Sequence, residues 1–189
     1  MRKNIRTSNG VILPMPVLLV ATYNSDGSVN VMNAAWGTMI TSNVVALNLA
    51  EERKTMKNIR ERGAFTICIP DAAHTVEADY FGVESGNDVQ DKFARSGLTA
   101  SKAEKVDAPV INELPICIEC TFVEYQDNEY DCGAIGKVEN ITADESVMKD
   151  GNLDISLVNA ISFDPYTNGY YKMGERVGEA FRDGLKLKK

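Results

Sequence analysis

Val17-Leu-Leu-Val-Ala-Thr-Tyr23 is followed by Asn24-Ser-Asp-Gly27 and then by Val29-Asn-Val-Met32. An apolar run, a four-residue turn signal and a second extended run read together as a β-hairpin. Further along, Val44 to Leu49 alternates, with Val45, Leu47 and Leu49 on one face and Ala46 and Asn48 on the other. Ala64 to Ile69 reads as a buried strand that Pro70 ends. Ile116 to Tyr125 and Tyr130 to Ile141 read as two long strands around a Gln126-Asp-Asn-Glu129 turn. Helical spacing is rarer. Met56, Ile59 and Arg60 place a helix from Arg53 or Lys54 to about Arg62, stopped by Gly63. Thr75 to Phe81 reads as a helix with Val76, Tyr80 and Phe81 inward, and Val89 to Ala94 as a second short piece. Ile155 to Phe163 has no clear period, and Gly174 to Phe181 reads as a last short helix. Strands dominate, so the expected class is mainly β: one β-barrel with peripheral helices over residues 1–189, with residues 70–114 as an excursion from it.

Composition narrows the function. The 189 residues include 20 Lys plus Arg against 27 Asp plus Glu, a net charge of −7, with 44% hydrophobic residues. These are globular values, and the acidic balance argues against nucleic acid and anionic membranes as partners. The apolar runs fall short of the roughly 20 residues a spanning helix needs. Arg2, Lys3 and Arg6 precede an apolar stretch from Val11 to Ala21, as in a secretory leader, but Pro14 and Pro16 interrupt it and no A-x-A site follows. The chain is therefore expected to be cytoplasmic.

The four cysteines are Cys68, Cys117, Cys120 and Cys132. Cys117 and Cys120 form a C-x-x-C inside a strand-like run, where residues three apart point to opposite faces, so core thiols are expected over a redox or zinc pair. His74 is the only histidine, and His74 with Glu77 would need further ligands to hold a metal; none is expected. G-x-S-x-G, G-x-G-x-x-G and the P-loop pattern are all missing, which disfavours serine-hydrolase chemistry and the usual nucleotide-binding folds.

Six motifs in order carry a resemblance: P-V-L-L-V-A-T at Pro16–Thr22, N-A-A-W at Asn33–Trp36, R-K-T-x-x-N-I at Arg53–Ile59, G-x-F-T-I at Gly63–Ile67, D-K-F at Asp91–Phe93 and Y-Y-K-M-G-E at Tyr170–Glu175. Together they resemble the flavin reductase-like family of FMN-binding split β-barrels, which includes flavoredoxins. The resemblance implies a homodimer with FMN near the subunit interface. Arg53, Lys54 and Thr55 at a helix start suit its phosphate, with Asn58 one turn on; the alternative is a solvated helix start. The resemblance puts Asn33, Ala34, Ala35 and Trp36 against the flavin ring, with Thr38 adding a hydroxyl; Trp36 also suits a core anchor. Lys92 suits negative charge on reduced flavin or a structural partner, and Tyr170 and Tyr171 suit either a ring wall or strand-end packing.

No side chain is needed as a catalytic acid or base, because the flavin carries the chemistry. The leading reading is an NAD(P)H-dependent oxidoreductase in which NADH or NADPH passes a hydride to flavin N5. Its rival is a flavoredoxin-like carrier that holds FMN and exchanges electrons with a redox protein. A third is a binding module without catalysis on the same scaffold.

Overall fold

The hairpin turn is fastened by its own residues. Gly27 takes φ +84°, and Asp26 Oδ1 accepts from Ser28 N at 2.9 Å and Ser28 Oγ at 2.6 Å. The structure, a computed structural model, describes residues 2–6, 12–127 and 133–188. The strands are β1 (Met15–Pro16), β2 (Leu18–Tyr23), β3 (Val29–Ala34), β4 (Gly37–Thr41) and β5 (Val44–Leu47). Helix α1 (Lys54–Arg62) leads into β6 (Ala64–Ile69). Then come α2 (Thr75–Val83), α3 (Lys92–Arg95), β7 (Ala100–Lys102), β8 (Pro109–Ile111), β9 (Ile116–Gln126) and β10 (Gly133–Ala143). The chain closes with β11 (Met148–Lys149), β12 (Asn152–Leu153), α4 (Ile155–Val158), β13 (Ile161–Asp164) and β14 (Gly169–Lys172).

Seven strands form one antiparallel sheet in the order β3-β2-β6-β9-β10-β5-β4. Register shifts in β10 at Ile135/Gly136 and Val138/Asn140 mark bulges, which bend a sheet, and the sheet curls into a half-barrel. Its central strands are apolar at successive residues because both faces are covered. Val20, Val45, Leu47, Phe65, Ile67 and Cys120 pack on Met56 and Ile59 of α1. Leu19, Ala21, Val31, Cys68 and Cys117 pack on Ala78, Phe81, Ile111, Leu114 and Ile161. Residues 70–114 thus return to cover the second face. A three-stranded sheet β1-β13-β14 and the pairs β7-β8 and β11-β12 complete the body. The fold is mainly β, a split barrel.

The strand reading of C-x-x-C carries through to the packing. Cys117 and Cys120 belong to opposite cores, both buried. Cys117 lies opposite Cys68 in the ladder, with Sγ atoms 3.4 Å apart; that hydrogen bond and burial push its thiol pKa up. Burial raises Cys120 to about 12. Cys132 and the start of the expected strand at Tyr130 lie outside the described residues.

Several local expectations change. Val76 is 77% exposed, and Ala78 and Phe81 form the inward side of α2. At 100° per residue Val76 sits about 140° from Phe81, so the two cannot share a face. The second helical piece is Lys92–Arg95, shorter and later than Val89–Ala94. Ile155–Phe163 divides into a helical turn and a strand, separated at Asn159 with φ +53°. Gly174–Phe181 is not helical; a 3₁₀ turn forms instead at Asp183–Leu187. Strands β4 and β14 were not foreseen, since neither shows clean alternation of apolar and polar residues.

β10 passes over the core residue Phe65 at a position without a side chain. A Cβ at Gly136 would stand 2.4 Å from Phe65 Cζ, and Phe65 is fully buried. Gly136→Ala should lower stability by about 1–3 kcal/mol, read as a lower urea midpoint with an unchanged slope.

Candidate functional site

The start of α1 is open to an anion. Arg53 precedes it in extended conformation, no side chain caps it, and its first turn contains no acid. The free amides and dipole of such an end attract negative charge. Arg53 is exposed and Lys54 half-buried, so two cations flank it. Glu51, nearby in sequence, is turned away into an ion pair with Arg60, whose guanidinium lies 4.7 Å from the Tyr125 ring centre.

A buried polar knot holds this end in place. Asn30 Nδ2 donates to Thr55 Oγ1 at 2.9 Å. Asn58 Nδ2 donates to Thr22 Oγ1 at 3.1 Å and to Asn24 Oδ1 at 2.8 Å. Thr55 and Asn58 are each 1% exposed, so their side chains bind the hairpin, and only the backbone of Thr55 faces the helix entrance. The loop after α2 closes over the same place. A Cβ on Gly86 would meet Asn30 Oδ1 at 2.2 Å and Lys54 Cβ at 3.3 Å, and Asn87 Nδ2 donates to Glu52 O at 3.1 Å.

The other end of the hairpin carries N-A-A-W. Asn33 Nδ2 donates to Ala78 O at 2.8 Å, tying β3 to α2. Ala34 is buried and Ala35 half-buried. Trp36 is 54% exposed, so it is not a core anchor. It lines a channel of about 980 Å³ with Ala35, Thr38, Leu18, Leu47 and Met15. Asn48 also lines that channel, and the chain runs from it through Leu49 to the helix start.

Lys92 is the outlier in the group. It is 3% exposed, its Nζ donates to Phe81 O at 2.9 Å and stands 5.7 Å from the Phe81 ring centre. Burial pushes its pKa down to about 8, Glu84 opposes that shift, and the nearby Arg53 charge adds to it. Lys92 therefore sits within electrostatic reach of the helix entrance. Tyr171 does not join these residues: it lies 56% exposed on β14, apart from the channel walls. Tyr170 packs against Phe163 and donates to Asp79 Oδ1 at 2.9 Å. Among the described residues no group of three His, Cys, Asp or Glu could hold a metal, and His74 Nδ1 pairs with Asp71 Oδ1 at 2.7 Å.

The structure thus gathers Ala35, Trp36 and Thr38 on the channel and Arg53 and Lys54 at the helix entrance, with Lys92 buried within reach of the Arg53 charge and Asn33, Thr55 and Asn58 fastening the elements between. The knot partners Thr22, Asn24 and Asn30 and the channel walls Met15, Leu18 and Leu47 were not foreseen. Polar Thr22 and Asn30, paired across the hairpin in otherwise apolar strands, were the available signal.

Residues 10–167 match the model of the flavin reductase like domain. The chain belongs to the flavin reductase-like family. Its structure is similar to the flavoredoxin of Desulfovibrio vulgaris (Miyazaki F), with 37% identity, a TM-score of 0.91, and coverage of 97% of this chain and 100% of that one. The flavoredoxin from Methanosarcina acetivorans shares the fold at 24% identity and a TM-score of 0.86, covering 98% and 100% of the two chains. An uncharacterized protein of Aeropyrum pernix is 31% identical over 112 residues, which span 58% of this chain and 43% of that protein.

The burial of Lys92 has a measurable sign. Its folded pKa of about 8 lies below its ordinary 10.5, so between those values the unfolded chain holds more protons. The penalty is fully present below pH 8 and relieved as pH rises toward 10.5. The unfolding free energy of the wild type, minus that of Lys92→Met, should therefore increase with pH across that window; a flat difference contradicts the assignment.

Proposed function

We propose that the chain is an FMN-binding oxidoreductase, acting as a cytoplasmic homodimer. The observation that carries this reading is the uncapped, doubly cationic start of α1, locked by buried hydrogen bonds to the hairpin that presents Trp36 beside an apolar channel. That donor set fits FMN. Arg53, Lys54 and the first-turn amides meet the demands of a phosphate. The backbone of Asn33 to Ala35 and the exposed Trp36 ring meet those of a flat heteroaromatic with a polar edge. Lys92, buried against Phe81 within reach of the Arg53 charge, adds positive potential to the phosphate end of the site and does not touch the ring.

The chemistry supplied by bound FMN is hydride acceptance at N5 and onward release of electrons. The protein's residues bind, orient and exclude water, so the shortage of histidine is no obstacle. In the first reading NADH or NADPH is the electron donor. The second reading is a flavoredoxin-like carrier that trades electrons with a redox protein; it is favoured by the 37% identity to a flavoredoxin over nearly the whole of both chains.

Two experiments test these readings. Arg53→Gln with Lys54→Gln should weaken FMN binding by about 10- to 100-fold and leave riboflavin, which lacks the phosphate, unchanged. Equal losses for both ligands remove the phosphate assignment, and no flavin binding by the folded wild type removes the function. The second is anaerobic absorbance of the FMN-loaded protein. Bleaching by NADH or NADPH supports the reductase, whereas bleaching only by a reduced protein donor such as a ferredoxin supports the carrier.

A further inference from the structure

Cys68 and Cys117 lie outside the channel and the helix entrance, yet the sheet brings their sulfurs together. They face each other on β6 and β9, with Sγ atoms 3.4 Å apart. Phe122 N donates to Gly63 O at 2.8 Å, which makes Gly63 and Phe122 a hydrogen-bonded pair of that ladder. Such pairs alternate with non-hydrogen-bonded ones, so the unbroken register puts Cys68 and Cys117 on a non-hydrogen-bonded pair. There the Cα atoms stand about 4.5 Å apart and the side chains come closest. A disulfide spans Cα separations of about 4.4–6.8 Å, so the strands already hold these thiols at bridging distance.

A small oxidant has a way in. A cavity of about 190 Å³ reaches Cys117 between Leu114, Asn112, Thr142 and Asp144. The last three are exposed, so the cavity opens to solvent, and Thr142 lies directly opposite Cys117 in the β9–β10 ladder. A water takes about 30 Å³ in the liquid, so hydrogen peroxide fits, and the amide, hydroxyl and carboxylate on the wall suit a polar guest. Cys120 points into the other core and does not line this cavity.

We propose that Cys68 and Cys117 are a two-electron site distinct from the flavin, closing to a disulfide when a small peroxide enters the cavity. Cys117, on the wall, takes the first oxygen: an S–O bond forms, the peroxide O–O bond breaks, and the thiol proton leaves in the released water. Cys68 Sγ then attacks Cys117 Sγ. The S–S bond forms, the S–O bond breaks, and the departing hydroxide takes the proton given up by Cys68 as a second water. Two thiols lose two electrons, and one peroxide becomes two waters. The hydrogen bond between the thiols fits Cys68 to the closing step. It lowers the Cys68 pKa, with burial opposing, and raises that of Cys117, with burial adding. Cys68 is thus the readier thiolate, while protonated Cys117 makes the first step slow, so the pair answers sustained peroxide and not traces.

The test uses the full chain carrying Cys132→Ser, so that Cys68, Cys117 and Cys120 remain. After excess hydrogen peroxide and then catalase, the protein is unfolded in an alkylating reagent, digested and weighed. Only Cys120 should be alkylated, and the Cys68 and Cys117 peptides should appear joined and lighter by two hydrogens. Tris(2-carboxyethyl)phosphine should restore all three thiols. Cys68→Ser should leave Cys117 as a sulfenic acid that dimedone captures, with no joined peptide. Thr142→Trp, a change at an exposed position, should slow the closure by filling the cavity. Three alkylated thiols after oxidation, a bridge to Cys120, or an unchanged rate in Thr142→Trp overturns the proposal. So does a closure rate that climbs with the unfolded fraction in dilute urea, since the bridge would then form outside the native sheet. None of these readouts depends on FMN binding.

Discussion

The amide and hydroxyl groups of Asn30, Thr55, Thr22 and Asn58 are buried between α1 and the first hairpin, and each must find a partner there. An unpaired buried polar group costs about 1–3 kcal/mol, so sliding the helix by one residue would break several such bonds at once. An apolar interface would tolerate that slip far better. The knot therefore fixes where the helix begins. Arg62 reinforces it from the other end of α1, donating from Nη2 to Asn24 O at 2.5 Å. With both ends held, α1 and the first hairpin form one unit.

The rest of the architecture serves that unit from outside. The loop from Ser85 to Asn87 fits over the knot because Gly86 has no side chain to meet Asn30. Phe81 anchors α2 in the second core and offers its carbonyl to Lys92, so one residue seats both the helix and the buried cation. Asn33, paired with Leu19 in the β2–β3 ladder, spends its side chain on Ala78 and so ties the sheet edge to α2. Fastening by side chains from several elements leaves little freedom for the helix start, the hairpin and α2 to move against one another.

How much of this is legible in the sequence depends on how local the determinant is. The hairpin, α1 with its Gly63 stop and the long β9 follow from turn residues and periodicity within about ten positions. Opposite facing of Cys117 and Cys120 follows from the period of two. The inward side of α2 does not, because Phe81 and Val76 compete for it and only the distant β3 decides. β4 goes unassigned in the sequence because its exposed Met39 and Ile40 break the alternation, and they do so where the sheet has an open edge. At the site, the chemistry of Arg53 and Lys54 is visible in sequence, since cations at a helix start are a local pattern. That Thr55 and Asn58 face the hairpin is not, since their partners lie 25 to 36 residues away. Lys92 looks like a surface lysine until the fold places Phe81 beside it.

The net charge of −7 bears on the two donor readings differently from how it bears on the cofactor. Charges more than about 8 Å apart are largely screened at physiological salt, so a phosphate at the helix entrance feels Arg53, Lys54 and the free amides, and little of the remote acidic surface. The helix entrance can therefore prefer an anion although the protein as a whole is acidic. A donor approaching from solution samples the field over a longer path, at least at low ionic strength. An anionic nicotinamide nucleotide meets repulsion there, while a basic face of a protein partner is steered inward. Local cations inside a repulsive outer field therefore act on a small anion at the helix entrance and on an incoming macromolecule by two different ranges of the same force.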